Sequence, residues 1–227
     1  MDNLPQKDTT KDMIHFNLKN KPAFTMIELV FVIVVLGILA ALALPRMERD
    51  QKQEGADAIL SQIRYTQHLA LLDDKHLYNQ NDWQKSFWQI MFTTCGGGLV
   101  YRIGSDADRD TLSTFEETEA ATDPINGKPL YGTNTNCNTA GTNPNVLLGK
   151  KYGVSSMSRS GGCTGQYIGF DHLGRPHSGF SATTKTDYAS YMKTECIFTF
   201  TMSDGDTFKI KIEPETGYAF IDGQTGS

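Results

Sequence analysis

Three groups of residues in this 227-residue chain have types and spacings that could do chemistry. The first is a single carboxylate, Glu28, inside the otherwise uncharged run Phe24–Leu44. A charged side chain in such a run costs roughly 2.5–3.5 kcal/mol in a bilayer, so it is normally kept for a partner or a function. The second is the set of four cysteines, Cys95, Cys137, Cys163 and Cys196, all beyond the apolar run. No two are spaced as CxxC, which argues against a zinc ribbon or a thioredoxin-like site. An even number beyond a membrane segment predicts disulfides, with three pairings open. The third is acidic: Asp106, Asp108 and Asp110 form D-x-D-x-D, with Glu117 at the twelfth place of a calcium loop. The sixth place needs glycine and holds Thr111, so a solvated acidic loop is the expectation and calcium the minor alternative.

Other constellations are weaker. His172 and His177 flank Arg175 in FDHLGRPHSG and are read as an exposed turn rather than metal ligands. Gly96-Gly97-Gly98 lacks the Lys-Ser/Thr of a phosphate loop, and no G-x-S-x-G elbow occurs. The chain is therefore not expected to be an enzyme, and no cofactor is called for. Tyr65, Trp83, Phe87 and Trp88 are assigned to core packing rather than to an aromatic surface. Residues after position 23 carry 17 basic and 23 acidic side chains. That balance argues against a strong, sequence-independent grip on nucleic acid.

These residues need elements to hold them. Residues 1–23 are short, polar and mixed in charge, and translation could begin at Met1 or Met13. Residues 24–45 form an apolar rod close to the roughly 20 residues that span a bilayer as a helix. It is longer than the core of an ordinary signal peptide, although Ala41 and Ala43 could supply a cleavage site. Residues 46–76 place Ala56, Ile59, Leu60, Ile63, Thr66, Gln67, Ala70 and Leu71 at helical spacing, which predicts an amphipathic helix. Residues 77–227 read as a β-rich head. Strands are expected at Phe87–Phe92, Gly98–Ile103, Tyr167–Phe170, Cys196–Met202, Thr207–Ile212 and Tyr218–Ile221. The Asn-, Thr-, Gly- and Ser-rich segment 105–162 is expected to be mostly loop.

The stretch AFTMIELVFVIVVLGILAALALPR resembles the N-terminus of type IV prepilins and type II secretion pseudopilins. The match lies in a small residue, Phe-Thr-Met-Ile-Glu, an apolar rod, an internal glycine and a proline near its end. Ala23 stands where the family usually has glycine. The resemblance implies an α+β fold, a long N-terminal helix packed on an antiparallel β-sheet. It implies cleavage between Ala23 and Phe24 by a prepilin peptidase, with N-methylation of Phe24. Glu28 would then contact the amino group of a neighbouring subunit, and Gly37 and Pro45 would weaken the helix. The implied partners are other pilin or pseudopilin subunits, the peptidase, an inner-membrane assembly platform and membrane lipid. The implied place is the bacterial inner membrane, with the head in the periplasm. The head looks, more distantly, like the H-type minor pseudopilin and related minor type IV pilins, through ILSQIRYTQHLAL, IGFDHLGRPHSG and EPETGYAFI. Relatives that take up DNA end in a Gly-Arg-x-Arg patch; here the stretch is Gly217-Tyr218-Ala219-Phe220, without arginine.

Overall fold

The structure is a computed structural model. It describes residues 25–77, 79–110, 115–137, 139–180 and 184–224, apart from the side chains of 41–50. The chain divides into two compact units, Met1–Leu44 and Pro45–Ser227.

Helix α1 runs from Met26 to Leu72, and its backbone stays helical at Gly37 and Pro45. In the first unit every described side chain from Thr25 to Ala40 is exposed, from Met26 at 87% to Val35 at 37%. A Cβ added at Gly37 would meet nothing within 4 Å. Among the described residues no helix is long and apolar enough to cross a membrane. The described side chains of the helix's apolar part run from Thr25 to Ala40. The rest of the expected span 24–45 falls outside the described side chains.

In the second unit, the later turns of α1 bury one stripe. Ala56, Ile59, Ile63 and Ala70 join one core with residues of both sheets, among them Ile90, Phe92, Phe198 and Ile210. The helix is also tied by its polar positions. Arg64 donates to the Ala219 carbonyl, and Gln67 donates to the carbonyls of Gly174 and Thr216. Leu71, expected on the apolar stripe, is 52% exposed: the buried face runs through Ala56, Ile59, Ile63, Thr66 and Ala70, and Leu71 lies one position off it.

The strands form two four-stranded sheets rather than one. The first has the order β2-β1-β4-β5, from β1 (Trp88–Cys95), β2 (Gly98–Gly104), β4 (Tyr167–Phe170) and β5 (Pro176–His177). The second has the order β3-β6-β7-β8, from β3 (Val154–Gly161), β6 (Cys196–Met202), β7 (Thr207–Ile212) and β8 (Ala219–Ile221). All pairings are antiparallel. β6 alternates buried and half-buried residues along its length, as a strand with one face on the core must. Gly96 and Gly97, both with positive φ, make the two-residue turn between β1 and β2. That backbone is the one a tight hairpin needs.

The segment 105–162 holds more structure than its composition suggests. It contains β3, a short helix α2 (Leu148–Tyr152) and two 3-10 turns, Glu117–Glu119 and Pro144–Val146. Its early part lies along β2, where Ile103 N–H donates to the Leu130 carbonyl and Gly132 N–H to that of Tyr101. Trp83 and Phe87 are buried with Phe180, while Tyr65 and Trp88 pack against the main core. Close packing of this kind gives a direct expectation. A Cβ at Gly169 would overlap the Phe180 ring. Gly169→Ala should destabilise the head by about 1–3 kcal/mol, read as a lower urea midpoint at unchanged slope.

Candidate functional site

Ala23 and Phe24 lie outside the described residues; the description begins at Thr25. Thr25 carries the first turn of α1. Its hydroxyl accepts from Glu28 N–H at 3.3 Å, and its carbonyl accepts from Glu28 and Leu29 N–H at 3.1 and 3.2 Å. Thr25 is thus the N-cap and Glu28 the third helical residue, the spacing of a capping box. A carboxylate in the first turn is favoured by the helix dipole, by about 0.3–1 kcal/mol at an exposed site. The lone acid is therefore placed where the helix itself welcomes negative charge, on a surface that is otherwise bare and apolar. The Thr-x-x-Glu spacing was present in the sequence and would have identified Thr25 as a positioning residue.

Residues 18–44 match the prokaryotic N-terminal methylation motif. This motif, the signal of type IV pilins and pseudopilins, supports the pilin family for this chain. It implies processing by a prepilin peptidase and assembly with other pilin subunits, and it suggests a membrane-anchored protein. No curated protein and no solved structure matches the chain significantly. The motif covers Phe24, Thr25, Glu28 and Gly37 and stops one residue before Pro45.

In the head the cysteines pair as Cys95–Cys137 and Cys163–Cys196, with Cα separations of 5.8 and 5.0 Å. The first joins the β1–β2 turn to the loop before α2. The second joins the residues after β3 to the start of β6.

The acidic loop gathers differently from its sequence spacing. Asp106, Asp108 and Glu119 bring carboxylate oxygens within 4.8 Å of one another, and Glu117 is not in that group. The reason is the 3-10 turn, which directs Glu119 back over the loop. Its Oε1 accepts from Ala107 and Asp108 N–H, and its Oε2 from Glu116 N–H. Partial loss of surrounding water, and then the Asp108 and Glu119 charges, push the carboxyl of the exposed Asp110 up. Calcium takes six to eight oxygens. The three gathered carboxylates carry six oxygens between them, and both oxygens of Glu119 already accept from backbone amides. Among the described residues this is a stapled loop, and Thr111 lies outside them.

The two histidines also part company. His172 is partly exposed and faces Asp74 at 3.3 Å. His177 is buried, against the expectation of an exposed turn. Its Nε2 lies 3.2 Å from Asp171 Oδ2 and its Nδ1 2.9 Å from Ser190 Oγ. Asp171 further accepts from Arg175 Nε and from the N–H groups of Leu173 and Arg175. Burial would raise the Asp171 carboxyl, but His177 and Arg175 hold it well below the usual carboxylate range. Ser190, His177 and Asp171 thus form one hydrogen-bonded series with further partners at both ends. Arg175 offsets the Asp171 charge, and Ser190 Oγ donates to the Asp187 carbonyl. The network straps the 187–190 turn to β5.

A depressed aspartate stabilises the fold above its unfolded value, near pH 4. That contribution is lost as the pH falls below about 4 toward the folded value. Asp171→Asn should cost about 2 kcal/mol at pH 7. It should also flatten the loss of stability between pH 5 and 2, measured by urea unfolding at each pH.

Proposed function

We propose that this chain is a minor subunit of a type II secretion pseudopilus and is not an enzyme. In this reading a prepilin peptidase on the cytoplasmic side removes residues 1–23 and Phe24 is N-methylated. The rod of residues 24–45 anchors the subunit in the inner membrane and later packs into the fibre core. The head stands in the periplasm, where an oxidising compartment sustains its two disulfides. Glu28 neutralises the amino group of a neighbouring Phe24. A buried ion pair is favourable only when both partners are supplied, so the pair selects for correctly processed, correctly staggered neighbours.

The observation that carries this reading is the motif match over residues 18–44, together with the bare apolar helix that it covers. The head's FDHLGRPHSG turn and closing EPETGYAFI strand support the H-type among minor pseudopilins. A minor type IV pilus subunit is the second reading, because the same motif serves both fibres. Coexpression with a prepilin peptidase tests the processing step. The chain should shorten by its 23-residue leader, and a bulky residue at position 23, Ala23→Leu, should leave it full length.

A further inference from the structure

Six lysines and arginines with described side chains are buried or half-buried: Lys52, Lys75, Lys85, Arg102, Arg109 and Lys211. Five of them face a carboxylate at between 2.6 and 3.7 Å. Lys52 faces Asp206, Lys75 faces Asp73, Lys85 and Arg109 face Asp82, and Lys211 faces Glu195 and Asp222. Arg102 has no such pair among the described residues. Residues 111–114, which precede Phe115, hold no acid either. A charge that gives up part of its water is normally matched by an opposite charge. Arg102 departs from the rule that the other five cations follow.

The guanidinium is nevertheless held in place. Arg102 lies on β2 opposite Met91 of β1, and it also forms a bridge with Tyr131. Its Nε and Nη2 donate to Met91 Sδ, at 3.3 and 2.8 Å. Its Cζ lies 5.4 Å from the centre of the Phe115 ring and 5.6 Å from that of Tyr131. Those two rings meet edge to face at 6.1 Å, so they form a corner against one flank of the group. Sulfur is a weak acceptor and the rings carry no net charge, so the group is fixed without being neutralised. The bonds to sulfur take two of the five N–H donors. Both N–H groups of Nη1 and one of Nη2 remain. Nη1 has no hydrogen-bond partner among the described residues, and it is not sealed from water.

These three donors make the end-on fork of a guanidinium, which matches the two oxygens of a carboxylate. Arginine, methionine and the aromatic side chains are also those enriched at protein interfaces. We propose that Arg102 is an interface anchor that takes one acidic side chain, Asp or Glu, of a partner protein through its Nη1–Nη2 end. Held by Met91, Phe115 and Tyr131, the fork loses little freedom on binding. The partner's carboxylate then supplies the counter-charge that the other five cations find within the head. The proposal applies to any protein partner, so it stands or falls separately from the fibre reading.

The test is NMR on the full chain in detergent, carrying isotope-labelled arginine and read at the guanidinium N–H signals. Arg102 is assigned by the loss of its signal in Arg102→Lys and, independently, by contacts to the Tyr131 ring protons. The probes are a glutamate capped at both main-chain ends, sodium acetate, sodium phosphate, and sodium chloride at matched ionic strength. The expected result is a saturable shift of the Arg102 signal with capped glutamate. Its midpoint should be on the order of 10–100 mM, since a single charge-assisted fork acts alone. Arg175, already on Asp171, and the exposed Arg159 should move only as they do in chloride. Acetate carries the same carboxylate and should bind no more tightly than capped glutamate. An Arg102 signal that moves no further than that of Arg159, that moves equally in chloride, or that responds only to phosphate would overturn the proposal. Tighter binding of acetate than of capped glutamate would assign the fork to a small free carboxylate and overturn the partner protein.

Discussion

Replacing Cys95 and Cys137 together by alanine lowers the stability of the head by about 4 kcal/mol, and removing Cys163–Cys196 costs nearly as much. These magnitudes follow from loop closure. The bridges join residues 42 and 33 apart, so each forbids a large set of unfolded conformations. A domain of this size has about 5–15 kcal/mol of net stability, so losing both bridges consumes most of it. The first pair also holds the β1–β2 turn against the loop before α2, and Cys137 N–H donates to Cys95 Sγ. The second pins the end of β3, an edge strand with little buried surface of its own. The measurement is urea unfolding of each double variant and of the quadruple variant. The quadruple variant should be largely unfolded at 37 °C and each double variant folded with a lowered midpoint. A midpoint shift below about 1 kcal/mol for both double variants would refute the loop-closure account.

Glu28→Val leaves membrane insertion intact and reduces recovery of the subunit in sheared fibres by about tenfold or more. The direction follows from the site. Glu28 is the one charged residue among Phe24–Leu44, and it sits exposed in the first turn of α1. Valine removes a charge that hinders insertion, so anchoring is eased. Assembly instead loses the partner of a neighbour's amino group, and breaking one side of a buried pair costs about 3–5 kcal/mol. A loss of that size is at least a hundredfold in equilibrium, which an incorporation assay resolves. Glu28→Asp shortens the reach of the acid by one methylene and should give an intermediate yield. Normal incorporation of Glu28→Val would remove the proposed role of Glu28 while leaving the motif match untouched.

The rod and its acid were legible in the sequence because a run of apolar residues needs no tertiary context to be seen. The strands of the second sheet were legible where one face is buried. Cys196–Met202 and Thr207–Ile212 alternate visibly, and Ser203–Asp206 between them make the turn. β3 was not legible. VSSMSRSG has one fully buried residue, Val154, because an edge strand with one exposed face makes few demands on its side chains. Nor was β5, two residues long and placed by β4 and the Asp171 turn. The burial of His177 depends on Ser190, 13 positions away, and on Arg175, so no local pattern announces it. Glu119 displaced Glu117 in the acidic loop through a single 3-10 turn, whose capping box ties Glu119 to Glu116. For His177 and the acidic loop a hydrogen-bonded carboxylate, Asp171 or Glu119, decided the local geometry, and its partners lay on other segments or on backbone amides.

The central claim is that the chain is cut before Phe24 and enters a fibre by its rod. Intact-mass and N-terminal peptide mass spectrometry of the protein from its native membrane tests this most directly. The account predicts a mature chain beginning at Phe24 and heavier by one methyl group at its amino terminus. A mature chain beginning near Leu44, or an uncut leader in cells with an active prepilin peptidase, would contradict it.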